Sequence, residues 1–133
     1  MPISLRIPPE KEKLIQKAAK KSGKAAVKHS KNISSDRTEA FRLMGTYYWF
    51  SGSQKKAIKW WEKSIREGEQ LGAGFELSRT YFEVGKYLQS PQSKYKEINS
   101  VSAKEYLEKS KIMFEEMDLQ WDLNELEKVS MAN

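Results

Sequence analysis

The fold is decided by residues 45–88, which read GTYYWFSGSQKKAIKWWEKSIREGEQLGAGFELSRTYFEVGKYL. Apolar residues recur at helical spacing before, between and after two breaks, Ser51-Gly52-Ser53 and Gly72-Ala73-Gly74. Three consecutive amphipathic helices are therefore predicted. The same spacing continues on both sides of this stretch, so we expect an all-α protein.

A pattern of small and bulky residues occurs twice along the chain. Gly45 is followed by Ala57, Trp61 and Ser64. Gly85 is followed by an equivalent set, which is Ala103, Leu107 and Ser110. A glycine in one helix and small residues in the next let two helices approach closely, so the pattern predicts two helical hairpins. Repeated helical hairpins of this size are typical of binding surfaces.

Capping signals predict where the helices begin. Asp36 and Glu39 have the spacing of a capping box at the start of the first helix. Ser53 is placed to cap the second helix. Ser102 and Glu105 form a second capping-box pattern, which predicts the start of a fourth helix.

The third helix shows the most regular apolar stripe, with residues at i, i+4, i+7 and i+11: Leu77, Tyr81, Val84 and Leu88. A polar loop is predicted over residues 90–101. After the fourth helix, the leucines of residues 119–126 predict a last short helix that caps the fold.

Composition limits the classes of protein. The chain has 133 residues, which suits one domain, and it has no cysteine. A disulfide framework, thiol catalysis and cysteine-ligated zinc are therefore excluded.

No apolar run approaches the roughly 20 residues of a membrane span, and the start MPISLRIPPEKEK lacks the apolar core of a secretion signal. We expect a cytoplasmic protein with no membrane partner.

The net charge of +6 is distributed unevenly. Residues 1–31 hold nine Lys/Arg and two Asp/Glu, whereas residues 32–133 hold fifteen and sixteen. The chain is therefore predicted to have a basic strand–helix arm over residues 1–24, a junction over residues 25–35 and a helical domain over residues 36–130. A basic arm raises nucleic acid as a partner.

Residue types with catalytic or metal-binding chemistry are sparse. His29 is the single histidine, and it has no Glu-x-x-His pairing and no nucleophile or orienting carboxylate at a recognisable spacing. Phosphate-binding glycine motifs are absent from the sequence. We expect no enzyme activity, no catalytic residues, no cofactor and no metal.

The stretch from about residue 36 to 126 resembles the tetratricopeptide (TPR) family, which pairs two antiparallel helices per repeat of about 34 residues. The family's motif positions are filled in the first copy by Phe41, Met44-Gly45, Tyr48, Ala57, Trp61 and Ser64. In the second copy they are filled by Tyr81, Val84-Gly85, Ala103, Leu107 and Ser110. Residues 45–88 are also similar to the divergent TPR arrays at the C-terminal end of large bacterial signalling ATPases and nucleotide cyclases. The two glycines are 40 residues apart, which is longer than the family repeat.

In the TPR family, ligands usually lie along the concave face formed by the first helix of each repeat. Carried onto this chain, the resemblance implies a partner-binding groove lined by Arg42, Thr46, Trp49, Arg79, Phe82 and Lys86. Three cations and two aromatic residues suit a peptide with acidic and apolar residues. Solvated surface charge is the competing interpretation of these residues.

Residues 3–24, ISLRIPPEKEKLIQKAAKKSGK, are similar to the start of ribbon-helix-helix DNA-binding proteins, including antitoxins. In that family, the N-terminal strands of two chains pair and enter the DNA major groove. The resemblance implies that Ser4 and Arg6 face the groove. The second helix of that family is not matched, because the residues after Lys24 read AAVKHSKNI.

The function predicted from these observations is non-enzymatic protein–protein interaction of the TPR type, with a regulatory or signalling role. The alternative is a ribbon-helix-helix DNA-binding regulator or antitoxin with a helical C-terminal domain. Two repeats are fewer than such arrays usually need to bury their faces, which makes a homodimer one expectation. A functional fusion and a fragment of a longer array remain alternatives, and the sequence does not name the partner.

Overall fold

The computed structural model of the protein describes residues 33–131. Five helices lie within this range: α1 (Ile33–Phe50), α2 (Gln54–Leu71), α3 (Gly74–Leu88), α4 (Ala103–Glu116) and α5 (Gln120–Met131). Two short strands, β1 (Glu97–Ile98) and β2 (Val101–Ser102), precede α4. The prediction of an all-α protein is therefore confirmed for the described residues. The predicted arm over residues 1–24 and most of the junction lie outside them.

The helices pack as consecutive hairpins. α1 packs chiefly on α2 and α3 chiefly on α4, while α3 also contacts α1 and α2 and so joins the two hairpins. The repeated small residues lie where the helices meet: Ala57, Ser64 and Ser110 are all fully buried. Gly45 lies against Trp61 and Gly85 against Leu107, as the repeated pattern predicts.

The core is built largely from aromatic rings. Trp61 is fully buried, and its indole stacks on Tyr87 with ring centroids 5.7 Å apart and only 5° between the planes. Trp49 completes this cluster at 5.4 Å from Trp61 and 5.7 Å from Tyr87. The predicted stripe of α3 is also inside, since Leu77, Tyr81, Val84 and Leu88 are all buried.

Two of the predicted capping interactions differ from the structure. α1 begins at Ile33, so Asp36 lies in its first turn and is not the N-cap. Ser53 occupies the N-cap position of α2 but its hydroxyl makes no capping hydrogen bond, because its backbone (φ −105°, ψ 70°) is not extended. The capping box of α4 is confirmed: the Ser102 hydroxyl accepts from the Glu105 amide, and the Glu105 carboxylate accepts from the Ser102 amide.

The predicted polar loop over residues 90–101 contains a small antiparallel hairpin. Glu97 pairs with Ser102 and Ile98 with Val101, around Asn99 and Ser100, whose φ values are 54° and 66°. Two successive residues with positive φ form the tight turn that two-residue hairpins favour. Ile98 is buried, and its carbonyl accepts a hydrogen bond from the Tyr106 hydroxyl at 2.9 Å, which ties the loop to α4.

The last helix, α5, packs on α4 and on α3. Arg79 near the start of α3 bonds to Asp122 near the start of α5, and Gln89 just after α3 bonds to the carbonyl of Val129 near the end of α5. The two helices therefore run in the same direction. α3 is therefore bonded to two neighbours, to α5 through Arg79 and to α1 through Glu83, which accepts from Arg42 at 3.0 Å.

Candidate partner-binding surface

One stripe of α3 faces away from the core between its neighbours α1 and α5. Phe75, Arg79, Phe82 and Lys86 occupy positions i, i+4, i+7 and i+11 of the helix and therefore lie on one face. Each is half-buried or exposed. The helix faces α1 through Glu76 and Glu83, and α5 through Arg79. This stripe together with Trp121 of α5 is called the α3–α5 face below.

On the α1 side, the polar contacts converge on Arg42. Its guanidinium forms ion pairs with Glu76 at 2.6 Å, with Glu83 at 3.0 Å and with Glu39 at 3.7 Å. The Thr46 hydroxyl donates to the second oxygen of Glu83 at 2.6 Å. These groups are called the Arg42 cluster, and they join α1 to α3.

The Arg42 cluster is buried and carries more negative than positive charge. Arg42 is only 5% exposed and Thr46 only 7% exposed. Burial alone lowers the pKa of Arg42, but the charges of Glu83 and Glu76 and their hydrogen bonds raise it, and the resulting pKa lies above the ordinary value. The guanidinium therefore stays protonated, with three carboxylates around it. Its Nε atom is buried without a hydrogen-bond partner, which adds to the cost of burying this side chain.

The predicted groove residues of α1 therefore lie inside the protein. Arg42 and Thr46 hold α1 to α3, and Trp49 is 8% exposed within the aromatic cluster of Trp61 and Tyr87. The expectation that these three residues line an accessible surface is not met. The reason is that α1 and α3 pack closely enough for the carboxylates of α3 to reach Arg42.

On the α5 side, Arg79 is held in a fixed orientation. Its Nε donates to one oxygen of Asp122 at 2.9 Å, and its terminal nitrogen donates to the other oxygen at 3.3 Å. Its Cζ lies 4.4 Å from the centroid of the Phe75 ring and 5.7 Å from that of the Trp121 ring. Asp122 is buried, so this two-point pair fixes the guanidinium while leaving its flanking rings accessible.

The two aromatic rings beside Arg79 are among the most exposed large apolar side chains of the described residues. Trp121 is 65% exposed and Phe75 is 40% exposed. Further along the stripe, Phe82 is half-buried, and its ring lies edge-to-face with that of Phe114, with the centroids 6.1 Å apart. Lys86 is exposed and pairs with no carboxylate among residues 36–130. Of the three predicted cations, Lys86 is thus the one whose charge is available.

The structure places Arg79, Phe82 and Lys86 on one face of α3, and two residues that the sequence reasoning missed lie beside them, Phe75 and Trp121. Phe75 could have been found, because it lies four residues before Arg79 and so continues the same stripe. Trp121 could not, because nothing in its own helix indicates which element it faces. Its place beside Arg79 follows from the packing of α5 on α3.

The candidate DNA-binding residues Ser4 and Arg6 lie outside the described residues. Within residues 33–131, there is no group of three or more His, Cys, Asp and Glu side chains that could hold a metal ion. None of the helices described is both long enough and apolar enough to cross a membrane.

Comparisons with protein families, with curated proteins and with solved structures find no significant match to this chain.

Proposed function

We propose that the protein is a non-enzymatic protein-binding module of the TPR type, which binds a peptide segment of its partner on the α3–α5 face. The repeat interpretation is supported by the equivalent placement of Gly45 and Gly85 against the second helix of each hairpin. It is also supported by α5, which runs in the same direction as α3. In a repeat array, the first helix of the next repeat would run in this direction.

The observation that carries the binding proposal is the pair of exposed rings beside a fixed arginine. The Arg79 Cζ lies 4.4 Å from the Phe75 ring centroid and 5.7 Å from the Trp121 ring centroid, and Asp122 fixes the orientation of the guanidinium. Tryptophan and arginine are enriched among residues that dominate binding energy at protein interfaces. Because Arg79 is already ordered by Asp122, its immobilisation adds little to the entropic cost of binding.

Of the three cations expected from the sequence to bind an acidic peptide, only Lys86 offers a charge on this face that is unpaired within residues 36–130. Arg79 is neutralised by Asp122, so it contributes a flat cationic surface for stacking rather than an unpaired charge. Lys86, about two turns beyond Arg79 along α3, supplies the available positive charge. The partner segment is therefore proposed to carry an apolar or aromatic anchor and, roughly 10 Å away along α3, an acidic residue.

A displayed-peptide library screened against the full chain tests this proposal. Selected peptides should share an apolar anchor and an acidic residue, and Trp121→Ala should weaken their binding at least tenfold, the loss typical of an interface hot spot. Lys86→Gln should weaken binding less and reduce its salt dependence.

The matched control is Ile112→Ala on α4, because Ile112 is 49% exposed but lies outside the α3–α5 face. This variant should bind the selected peptides as the unaltered chain does. Circular dichroism of each variant verifies that the fold is retained. Selected peptides that bind Trp121→Ala and Ile112→Ala equally well would contradict the assignment of the α3–α5 face.

A further inference from the structure

The outward face of α2 carries an uninterrupted group of positive charges. Its five cations are all exposed: Lys55, Lys56, Lys59, Lys63 and Arg66. At 3.6 residues per turn these positions fall within an arc of about 100° and extend over about 17 Å of the helix. The opposite side of α2 holds the buried residues Ala57, Trp61, Ser64 and Ile65. These five cations are called the α2 basic face.

α2 has three acidic residues: Glu62, which borders this face beside Lys59 and Arg66, forms no ion pair within residues 36–130, and Glu67 and Glu69 are engaged with other helices. Glu67 pairs with Arg37 of α1 at 2.6 Å, and Glu69 accepts a hydrogen bond from the Tyr81 hydroxyl at 2.6 Å. Within residues 36–130, none of the five cations forms an ion pair. The face therefore presents a concentrated positive charge, although the helical domain as a whole is almost neutral.

Aromatic rings lie along one border of the α2 basic face. The Lys63 ammonium is 4.5 Å from the centroid of the Trp60 ring, and the Lys56 ammonium is 5.4 Å from that of Tyr48. Phe41 packs beside Trp60 with centroids 5.7 Å apart. All three rings are half-buried, so part of each remains accessible next to the cations.

We infer that the α2 basic face binds the sugar–phosphate backbone of a nucleic acid. One strand of a duplex carries one phosphate per roughly 3.4 Å of its axis, so about 17 Å of helix matches about five phosphates. Neighbouring aromatic rings add stacking surface for unpaired bases. This surface is separate from the α3–α5 face, and the inference does not depend on the proposed peptide binding.

A phospholipid surface fits this face less well. A helix that lies in a membrane interface inserts an apolar side between the headgroups. In α2 that apolar side is already buried against α1 and α3, and the α2 basic face has no apolar member. Attraction to a polyanion that stays outside the protein is therefore favoured over insertion.

The charge of the N-terminal segment adds to the same attraction. Residues 1–31 hold nine Lys/Arg and two Asp/Glu. They precede α1, whose Arg37 and Thr38 contact Glu67 and Ser64 in the C-terminal half of α2. The first turns of α1 therefore lie beside the half of α2 that holds Lys63 and Arg66.

The test measures fluorescence anisotropy of labelled 20-nucleotide duplex DNA, single-stranded DNA and RNA, titrated with the full chain between 50 and 200 mM salt. The variant is the triple substitution K55Q/K59Q/R66Q, because none of these three side chains has a ring or ion-pair contact within residues 36–130. Its control is K104Q/K109Q/K111Q on α4, which removes the same number of exposed charges.

The unaltered chain should bind at least one of the three nucleic acids with little sequence preference. For duplex DNA, log affinity falls as log salt concentration rises. The K55Q/K59Q/R66Q variant should make this fall shallower by about 2.7 in slope, at about 0.9 per lost phosphate contact. Its affinity at 50 mM salt should fall at least tenfold. The control variant should retain the original slope, and the preferred probe identifies which nucleic acid the face takes.

Three results would overturn the inference. The first is an unchanged slope in the K55Q/K59Q/R66Q variant, which would assign binding to the N-terminal segment alone. The second is an equal loss in the two triple variants, which would reflect net charge and not the α2 basic face. The third is binding to vesicles of phosphatidylserine and phosphatidylcholine without binding to any of the three nucleic acids.

Discussion

Gly45 of α1 lies directly against the indole ring of Trp61 of α2. A Cβ atom at Gly45 would lie 2.8 Å from Trp61 Cγ and still closer to two other atoms of the ring. The second hairpin repeats the relationship, because a Cβ at Gly85 would lie 2.7 Å from Leu107 Cγ. Each glycine thus removes the side chain that would keep the first helix away from the bulky residue of the second.

Replacing Gly45 with alanine should destabilise the protein, because overpacking a core usually costs about 1–3 kcal/mol. The intrinsic preference of a helix for alanine over glycine, about 1 kcal/mol, offsets part of this cost, so the net loss should be up to about 2 kcal/mol. Trp61 cannot move aside easily, because it is fully buried and its Nε1 donates to the Arg42 carbonyl at 3.2 Å. Urea denaturation measures the change.

The control is Gly74→Ala, the same substitution at the first residue of α3. A Cβ at Gly74 would meet no atom within 4 Å, so this variant should be as stable as the unaltered chain or slightly more stable. Equal stability of the Gly45→Ala and Gly74→Ala variants would mean that Gly45 and Trp61 do not pack as described.

Removing the guanidinium of Arg42 should destabilise the protein by about 3–5 kcal/mol, because the carboxylates of Glu76 and Glu83 would lose their cation while staying largely out of water. Arg42→Met tests this while keeping much of the side-chain volume. The matched variant is Arg37→Met, since Arg37 pairs with Glu67 at the same 2.6 Å distance but is 43% exposed. An exposed pair contributes about 0–1 kcal/mol. Thermal unfolding that shifts equally in the two variants would show that burial does not distinguish these pairs.

The two serines at helix starts should differ in their contribution to stability. Ser102→Ala removes the hydroxyl that caps α4 and should cost about 1 kcal/mol. Ser53→Ala removes a hydroxyl that makes no capping bond to α2, so a change of less than about 0.5 kcal/mol is expected. Guanidinium denaturation of the two variants provides the comparison, and a larger loss for Ser53→Ala would contradict it.

Stability should fall at alkaline pH because buried tyrosines must ionise. Burial, together with the nearby charges of Glu69, Glu62 and Glu105, raises the pKa of Tyr106 from 10.0 to about 12. Burial likewise raises the pKa of Tyr81 and of Tyr87. An unfolded phenol loses its proton near pH 10. The stability held by the neutral Tyr106 is therefore complete below about pH 10 and is lost as the pH rises from about 10 to about 12.

The Tyr106→Phe variant tests this pH dependence. At pH 8 it should be less stable by about 1 kcal/mol, because the hydrogen bond to the Ile98 carbonyl is lost. Between pH 10 and 12 its stability should fall less steeply than that of the unaltered chain. Tyr47→Phe removes an exposed hydroxyl and serves as the control. Parallel curves of stability against pH for the unaltered chain and Tyr106→Phe would contradict the assignment.

Some features of the candidate site follow from the sequence, and others depend on how the helices pack. Arg79, Phe82 and Lys86 share one face because they lie on one helix, and helical periodicity alone is sufficient to predict that. The burial of Arg42 was not predictable in this way. Its partners Glu76 and Glu83 lie 34 and 41 residues further along the chain and reach it only because α3 packs on α1.

The loop before α4 also combines features that the sequence predicts with features that depend on packing. Its polar composition predicted a connection, which is correct, but the buried Ile98 and its hydrogen bond from Tyr106 depend on how the loop folds onto α4. The capping box of Ser102 and Glu105 was predictable, because both partners lie within one turn of one helix.

The sequence by itself determined where the described helices lie and which of them pair, because periodicity, capping residues and small residues act between neighbours along the chain. Only the tertiary structure decided which side chains are accessible. Trp49 and Trp121 are the same residue type, yet one is 8% exposed and the other 65% exposed. The difference arises because Trp49 is covered by Trp61 and Tyr87 from two other helices, whereas Trp121 lies at the start of α5 beside Arg79 and is left largely in contact with solvent.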